Sequence, residues 1–196
     1  MYTRKDHYYK KAKEEGRVSR ASYKFEHIQE KFKIVKKGDK IVDLGCAPGS
    51  WFEVISKMIG DGGFIVGVDL LPIKVKIPKN GLYIEGDILD LDVQGEVAKA
   101  IHGKADVIVS DMAPNTSGLA FKDCYISYEL TLTALEVVKV VLKKGGSFAT
   151  KIFQGAETEI LRKDLKKLFA KVSTYIPPST RKNSKEIYIV AIGFKG

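Results

Sequence analysis

Ile41-Val42-Asp43-Leu44-Gly45-Cys46-Ala47-Pro48-Gly49-Ser50-Trp51 is the stretch on which the fold turns. Its first four residues, mostly apolar and bounded by a turn, suit a strand covered on both faces. The next five make a glycine-bearing turn, and Ser50 opens a helical pattern. Strand, turn and helix in that order are how open α/β sheets place a ligand at the carboxyl ends of their strands. The spacing is not GxGxxG: Gly45 and Gly49 stand four apart and the third glycine is missing. Pro48 lies just ahead of the helix, where its fixed φ is tolerated. A pyrophosphate needs close backbone approach at a helix N-terminus. This turn offers less of that, so it favours a ligand with an amino-acid tail over a dinucleotide.

Working outward, apolar runs alternate with helical periodicity. The pattern predicts strands over 40–44, 64–69, 82–85, 105–110, 147–152, 171–175 and 186–192, and helices over 50–59, 93–102, 123–142 and 158–170. Ahead of them, Phe25, Ile28 and Phe32 recur at helical spacing. Strands interleaved with helices imply a parallel sheet covered on both faces. Only a polar loop of about ten residues separates the last two strands, too short for a parallel crossover, so the final strand should run antiparallel. The expected fold class is α/β: a doubly wound, Rossmann-like, seven-stranded sheet of the methyltransferase kind, mostly parallel with an antiparallel last strand.

The chain has 196 residues, which suits one domain by the usual prior of about 100 to 200 residues each. It can be divided into a basic N-terminal lead and helix over 1–33 and a catalytic unit over 34–196. No apolar stretch approaches the roughly 18 residues of a membrane span, and the charged start carries no secretion signal, so the expectation is a cytoplasmic protein. Cys46 and Cys124 are the only cysteines, and His7, His27 and His102 are scattered, which excludes a disulfide framework and a metal site. Residues 1–40 hold thirteen basic against six acidic side chains, a net +7, and the remainder twenty against eighteen, a net +2. The basic lead also carries Tyr2, Tyr8, Tyr9 and Tyr23. Such a segment suits a polyanion, because each neutralised phosphate releases counterions. The bland alternative is a solvated, frayed terminus.

Asp69 ends the second strand, where a carboxylate can accept both hydroxyls of an adenosine ribose. Asp87, just past the third strand, could take the adenine amino group. For either acid the alternative is a loop carboxylate capping the following helix. Trp51 is a core aromatic by default, or shapes the pocket beside the turn. These features fit S-adenosylmethionine better than NAD. The fourth strand delivers Asp111-Met112-Ala113-Pro114-Asn115 to the rim. It lacks the aromatic of the Asn/Asp-Pro-Pro-aromatic tetrad that holds base amino groups, which points to an oxygen acceptor. Lys151 lies within an apolar strand, where burial or a neighbouring cation favours the neutral amine; the alternative is a lysine snorkelling to water. Lys24 and Glu186, each taken alone, read as surface charges.

Six motifs in register, from Arg20-Ala21-Ser22-Tyr23-Lys24 through 43–51, Asp69-Leu70-Leu71-Pro72, 110–115 and 151–155 to Ser184-Lys185-Glu186-Ile187-Tyr188, resemble the FtsJ/RrmJ (RlmE) ribose methyltransferases over about 17–192. The turn departs from the commoner Ala-Ala-Pro-Gly-Gly-Trp form at Cys46 and Ser50. The resemblance implies methyl transfer from S-adenosyl-L-methionine to a ribose 2′-hydroxyl of RNA. It implies a catalytic tetrad of Lys24, Asp111, Lys151 and Glu186, with Lys151 as base. It places the cofactor contacts on Gly49, Trp51, Asp69, Asp87 and Asp111. For the bacterial members the substrate is a uridine of 23S ribosomal RNA in the large ribosomal subunit, which Arg181, Lys182 and Lys185 would help the lead to grip; a monomer is expected. Transfer RNA as substrate, a non-catalytic RNA-binding assembly factor and a small-molecule O-methyltransferase are the alternatives. Lys24 would favour a neutral Lys151 while Asp111 and Glu186 oppose it, and sequence does not rank these effects.

Overall fold

The computed structural model describes residues 7–181 and 183–196; Met1 to Asp6 and Lys182, part of the expected basic grip, lie outside the described residues. The elements are α1 (His7–Glu14), α2 (Ala21–Phe32), β1 (Lys40–Leu44), α3 (Ser50–Ile59), β2 (Phe64–Asp69), β3 (Gly81–Glu85), α4 (Leu91–Ala100), β4 (Ala105–Ser110), α5 (Ala120–Val141), β5 (Leu142–Phe153), α6 (Glu157–Leu168), β6 (Phe169–Tyr175) and β7 (Glu186–Phe194).

Seven strands form one sheet in the order β3-β2-β1-β4-β5-β7-β6. β3, β2, β1, β4 and β5 are parallel, and β7 is antiparallel to both β5 and β6. The reversed last strand is the expected one; its insertion between β5 and β6 is additional. The chain winds outward from β1 through β2 to β3, then returns to β4 on the other side. A crevice therefore opens beyond the carboxyl ends of β1 and β4.

Alternation along the strands divides the core between two layers. Val42 and Leu44 pack with α4, α5 and α6 on one face. Ile41, Val107, Val109, Ala149, Tyr188 and Val190 pack with α2 and α3 on the other. In α3, Trp51, Phe52, Ile55 and Ile59 recur on the buried side. Phe25 and Ile28 of α2 join them in the same cluster.

Most boundaries fall within two residues of the sequence pattern; those of α5 and β5 shift further, for local reasons. α5 begins at Ala120 rather than 123, because Asp123 bonds backwards: its Oδ1 accepts from the Ser117 N–H and hydroxyl, both at 2.8 Å. β5 begins at Leu142, which pairs with Ala105 before the register shifts between Ala105 and Val107. Part of the basic lead is helical as α1 and docked by a short polar network. Arg17 lies 4.3 Å over the Tyr23 ring and reaches Glu26 at 2.6 Å, while the Tyr23 hydroxyl donates to Glu15 at 2.9 Å. No described helix is long and apolar enough to cross a membrane.

Candidate active site

The glycine turn is built for close approach. Gly45 has φ +74° and Gly49 φ +104°, backbone conformations that favour glycine. A Cβ on Gly45 would stand 2.7 to 2.9 Å from Met112, its backbone included, and one on Gly49 would stand 2.5 Å from Val75. The Ala47–Pro48 peptide is cis. Two bonds fasten the turn to its neighbours. The Ala47 N–H donates to Asp69 Oδ2 at 2.8 Å, and the Asp111 N–H donates to the Leu44 carbonyl at 3.0 Å.

Asp69, Asp87, Gly45, Ile88, Met112 and Ala113 line the crevice at this switch point. Asp69 holds the turn with one oxygen and accepts from the Leu71 N–H at 2.9 Å with the other. Asp87 accepts from the Leu89 N–H at 2.9 Å. Each carboxylate oxygen has a second lone pair, so both acids can order their loops and still receive hydroxyl or amino protons. Trp51 takes a different place from the pocket-shaping role. Its ring is 2% exposed, its indole N–H donates to the Ala21 carbonyl at 2.9 Å, and it lies against Phe25 and Tyr188. The default reading, a core aromatic, holds for that side chain.

Beneath the crevice is an acid that sequence reasoning passed over. Asp43 is fully buried, and neither of its carboxylate oxygens has a hydrogen-bond partner. Burial, with the nearby carboxylates of Asp111 and Asp69, raises its carboxyl well above the usual range. The Cys46 thiol is pushed up as well, by burial first and then by Asp43 and Asp69. Asp69 and Asp87, lining a crevice floored by a glycine turn, suit a cationic ligand with a ribose. S-adenosylmethionine, a sulfonium with an ammonium-bearing tail, fits the residues present.

The four side chains expected to do chemistry meet on the α2–α3 face of the sheet. Asp111 follows β4, Lys151 is on β5 and Glu186 on β7, and Lys24 reaches down from α2. Lys24 and Lys151 are each only 7% exposed, a burial that lysine tolerates when paired. Lys151 Nζ lies 3.1 Å from Asp111 Oδ1 and donates to the Asp111 carbonyl at 2.5 Å. Lys24 Nζ lies 2.6 Å from Glu186 Oε1, an ion pair whose geometry does not complete a hydrogen bond. Neither lysine snorkels to water, and the reading of Lys24 and Glu186 as surface charges does not hold.

Tyr188 ties the two pairs together. It is the register partner of Lys151 across β5 and β7, and its hydroxyl donates to Asp111 Oδ1 at 2.9 Å and also faces Glu186. Burial and these two carboxylates push the phenol far above its ordinary value, so it stays a proton donor. Sequence reasoning quoted Tyr188 within a motif and gave it no role. The available signal was its alternation with Glu186 along β7, which puts both on one face. Asp43 carried the signal that exposed Lys151, a charge inside an apolar run. Arg20 lies near Arg181 and Glu186; burial first and then the Arg181 guanidinium disfavour its charge, against the pull of Glu186. Among the described residues no group of His, Cys, Asp and Glu could hold a metal.

The strand order, the acid-ended crevice and the buried Lys-Asp-Lys-Glu cluster define a Rossmann-like S-adenosylmethionine-dependent methyltransferase. Comparison with known proteins agrees and narrows the class: residues 17–194 match the FtsJ-like methyltransferase family, and the chain belongs to that family. It is 44% identical to ribosomal RNA large subunit methyltransferase E of Bdellovibrio bacteriovorus, across 99% of both chains. To the protein of the same name from Methanobrevibacter smithii it is 42% identical, over 100% of this chain and 93% of that one. Among solved structures, a ribosomal RNA methyltransferase of Plasmodium falciparum superposes with a TM-score of 0.75 at 31% identity, over 91% of this chain and 98% of that one. Fibrillarin of Aeropyrum pernix, crystallised with S-adenosyl-L-methionine, shares the fold at a TM-score of 0.55 and 18% identity, over 81% of this chain and 68% of that one.

Proposed function

We propose that this chain methylates the ribose 2′-hydroxyl of a uridine in 23S ribosomal RNA within the large ribosomal subunit, acting as a cytoplasmic monomer. The observation that carries the reading is the cluster of Lys24, Glu186, Tyr188, Asp111 and Lys151 at the end of the crevice. S-adenosyl-L-methionine, when bound, supplies an electrophilic methyl group. Gly49 and Trp51 would hold it through the backbone of the turn, and Asp69, Asp87 and Asp111 through their carboxylates. What remains for the protein is to align the acceptor oxygen and remove its proton.

Lys151 is assigned the proton. Its Nζ is aimed by the Asp111 carbonyl, and it can accept only when neutral. Glu186 has Lys24 as its partner, and Asp111 shares its Oδ1 with the Tyr188 hydroxyl. Each carboxylate of the cluster is thereby shared with a second group. Arg20, Arg181 and Lys185, around Glu186, supply positive charge for the RNA backbone, in keeping with the basic lead over 1–33.

The test is labelled methyl transfer to undermethylated large subunits and to transfer RNA, with the modified nucleotide mapped by mass spectrometry. Label in a 2′-O-methyluridine of the large-subunit RNA is expected, and label confined to transfer RNA overturns the substrate. Lys151→Ala should abolish turnover with cofactor affinity within about threefold of wild type; retained turnover overturns the base assignment.

A further inference from the structure

α5 begins with two aromatic side chains that the fold leaves uncovered. Phe121 is 78% exposed and Tyr125 50% exposed, and a spacing of four residues sets them one above the other on the same helix face. The Tyr125 hydroxyl faces Glu129 one turn on. The two rings line a groove of about 560 Å³ whose other wall is Gln154 and Gly155, with Lys122 and Lys185 at the rim.

The groove runs toward the end of β5 beside Glu186. An adjoining depression of about 260 Å³ shares Lys185 with it and continues past Ser184 to Phe153, and Phe153 is the strand partner of Glu186. Of the two acids bordering these spaces, Asp123 is engaged with Ser117, which leaves Glu157 against the two lysines.

Resting on the reading of this chain as an RNA ribose methyltransferase, we propose that Phe121 and Tyr125 are a stacking platform for an unpaired base next to the methylated nucleotide. Lys122 and Lys185 take the phosphates that connect the two. The chemistry is that of single-strand recognition, in which every base presents a π-face and aromatic side chains beside a positive groove hold it without reading its sequence. Two exposed rings cost hydration on an unliganded surface, and a nucleobase is the flat, polar-edged partner that covers them while its backbone meets lysines. A protein partner burying the same rings would have no need of lysines leading to Glu186. The platform also explains how one nucleotide enters the cluster alone: its neighbour is retained outside, which draws the strand taut across Lys185.

The test uses the full chain and an RNA hairpin carrying 2-aminopurine beside the target uridine. Binding to the wild type should quench the fluorophore by stacking. Phe121→Ala/Tyr125→Ala should abolish the quenching and raise the RNA KM at least tenfold. Both kcat and the S-adenosylmethionine Kd should stay within twofold. Phe121→Trp/Tyr125→Trp should restore both readouts, whereas Phe121→Leu/Tyr125→Leu should restore neither. Wild-type quenching in the alanine variant, or full rescue by leucine, would overturn the platform and point to a generic apolar contact or a protein partner. Because quenching does not depend on turnover, it judges the platform even if mapping shows that another RNA is the methyl acceptor.

Discussion

Asp43→Asn should stabilise the cofactor-free protein at neutral pH and leave it unchanged near pH 4. Asp43 is fully buried, without a partner for either oxygen, and its carboxyl is raised by burial, then by Asp111 and Asp69. Cys46 also faces it, with a thiol that is itself pushed up. A raised carboxyl means that, above its ordinary value of 3.8, the unfolded chain has released a proton that the folded chain retains. Stability then falls as pH rises, by about 1.4 kcal/mol per pH unit, until the folded carboxyl ionises and the slope ends. Over the interval from 3.8 to pH 7 the loss is therefore at most about 4 kcal/mol. Asparagine has the same shape and does not titrate. In a protein of this size 1 kcal/mol moves Tm by about 2–4 °C. The variant should thus melt at the wild-type temperature near pH 4 and up to roughly 8–16 °C higher at pH 7. The assay is thermal unfolding of both proteins without cofactor from pH 4 to 8, in which all other titrating groups cancel in the difference. Melting temperatures that run parallel across this range would refute the neutral, unpartnered acid.

Tyr188→Phe keeps the buried ring and deletes the hydroxyl that Asp111 accepts, so kcat should fall at least tenfold while the S-adenosylmethionine Kd stays within about threefold; single-turnover methylation and calorimetry separate the two, and an unchanged kcat would remove Tyr188 from the cluster. Gly45→Ala places a Cβ against the Met112 backbone at a φ of +74°, which should cost about 1–3 kcal/mol and weaken cofactor binding at least tenfold; denaturant unfolding and calorimetry measure both, and wild-type values would show that the turn has room to spare.

The parts of the fold that were legible are those that local chemistry decides. The turn over 41–51 declares itself through an apolar strand, two glycines and a helical face, and the loop before 186 is too short for anything but a reversal. The position of β7 was legible too, though only by a further step. Its residues 187–191 are all buried and apolar, the pattern of a strand paired on both edges. In β6 only Phe169 is buried, and Ala170, Lys171 and Thr174 are exposed, as suits a sheet edge. An interior β7 and an edge β6 follow from that contrast.

The site is a different matter, because it is assembled by non-local contacts. Lys24 and Glu186 are 162 positions apart, and no periodicity relates them. They meet because α2 packs on the same sheet face toward which Asp111, Lys151, Glu186 and Tyr188 project. Strand alternation does predict that face for Lys151, since Ala149 two residues earlier packs with α2 and α3. It cannot say which carboxylate each ammonium will find. The observed pairing sends Glu186 to Lys24 and divides Asp111 between Lys151 and Tyr188. The group that joins the two pairs is Tyr188, whose trace in the sequence is its place two residues after a glutamate.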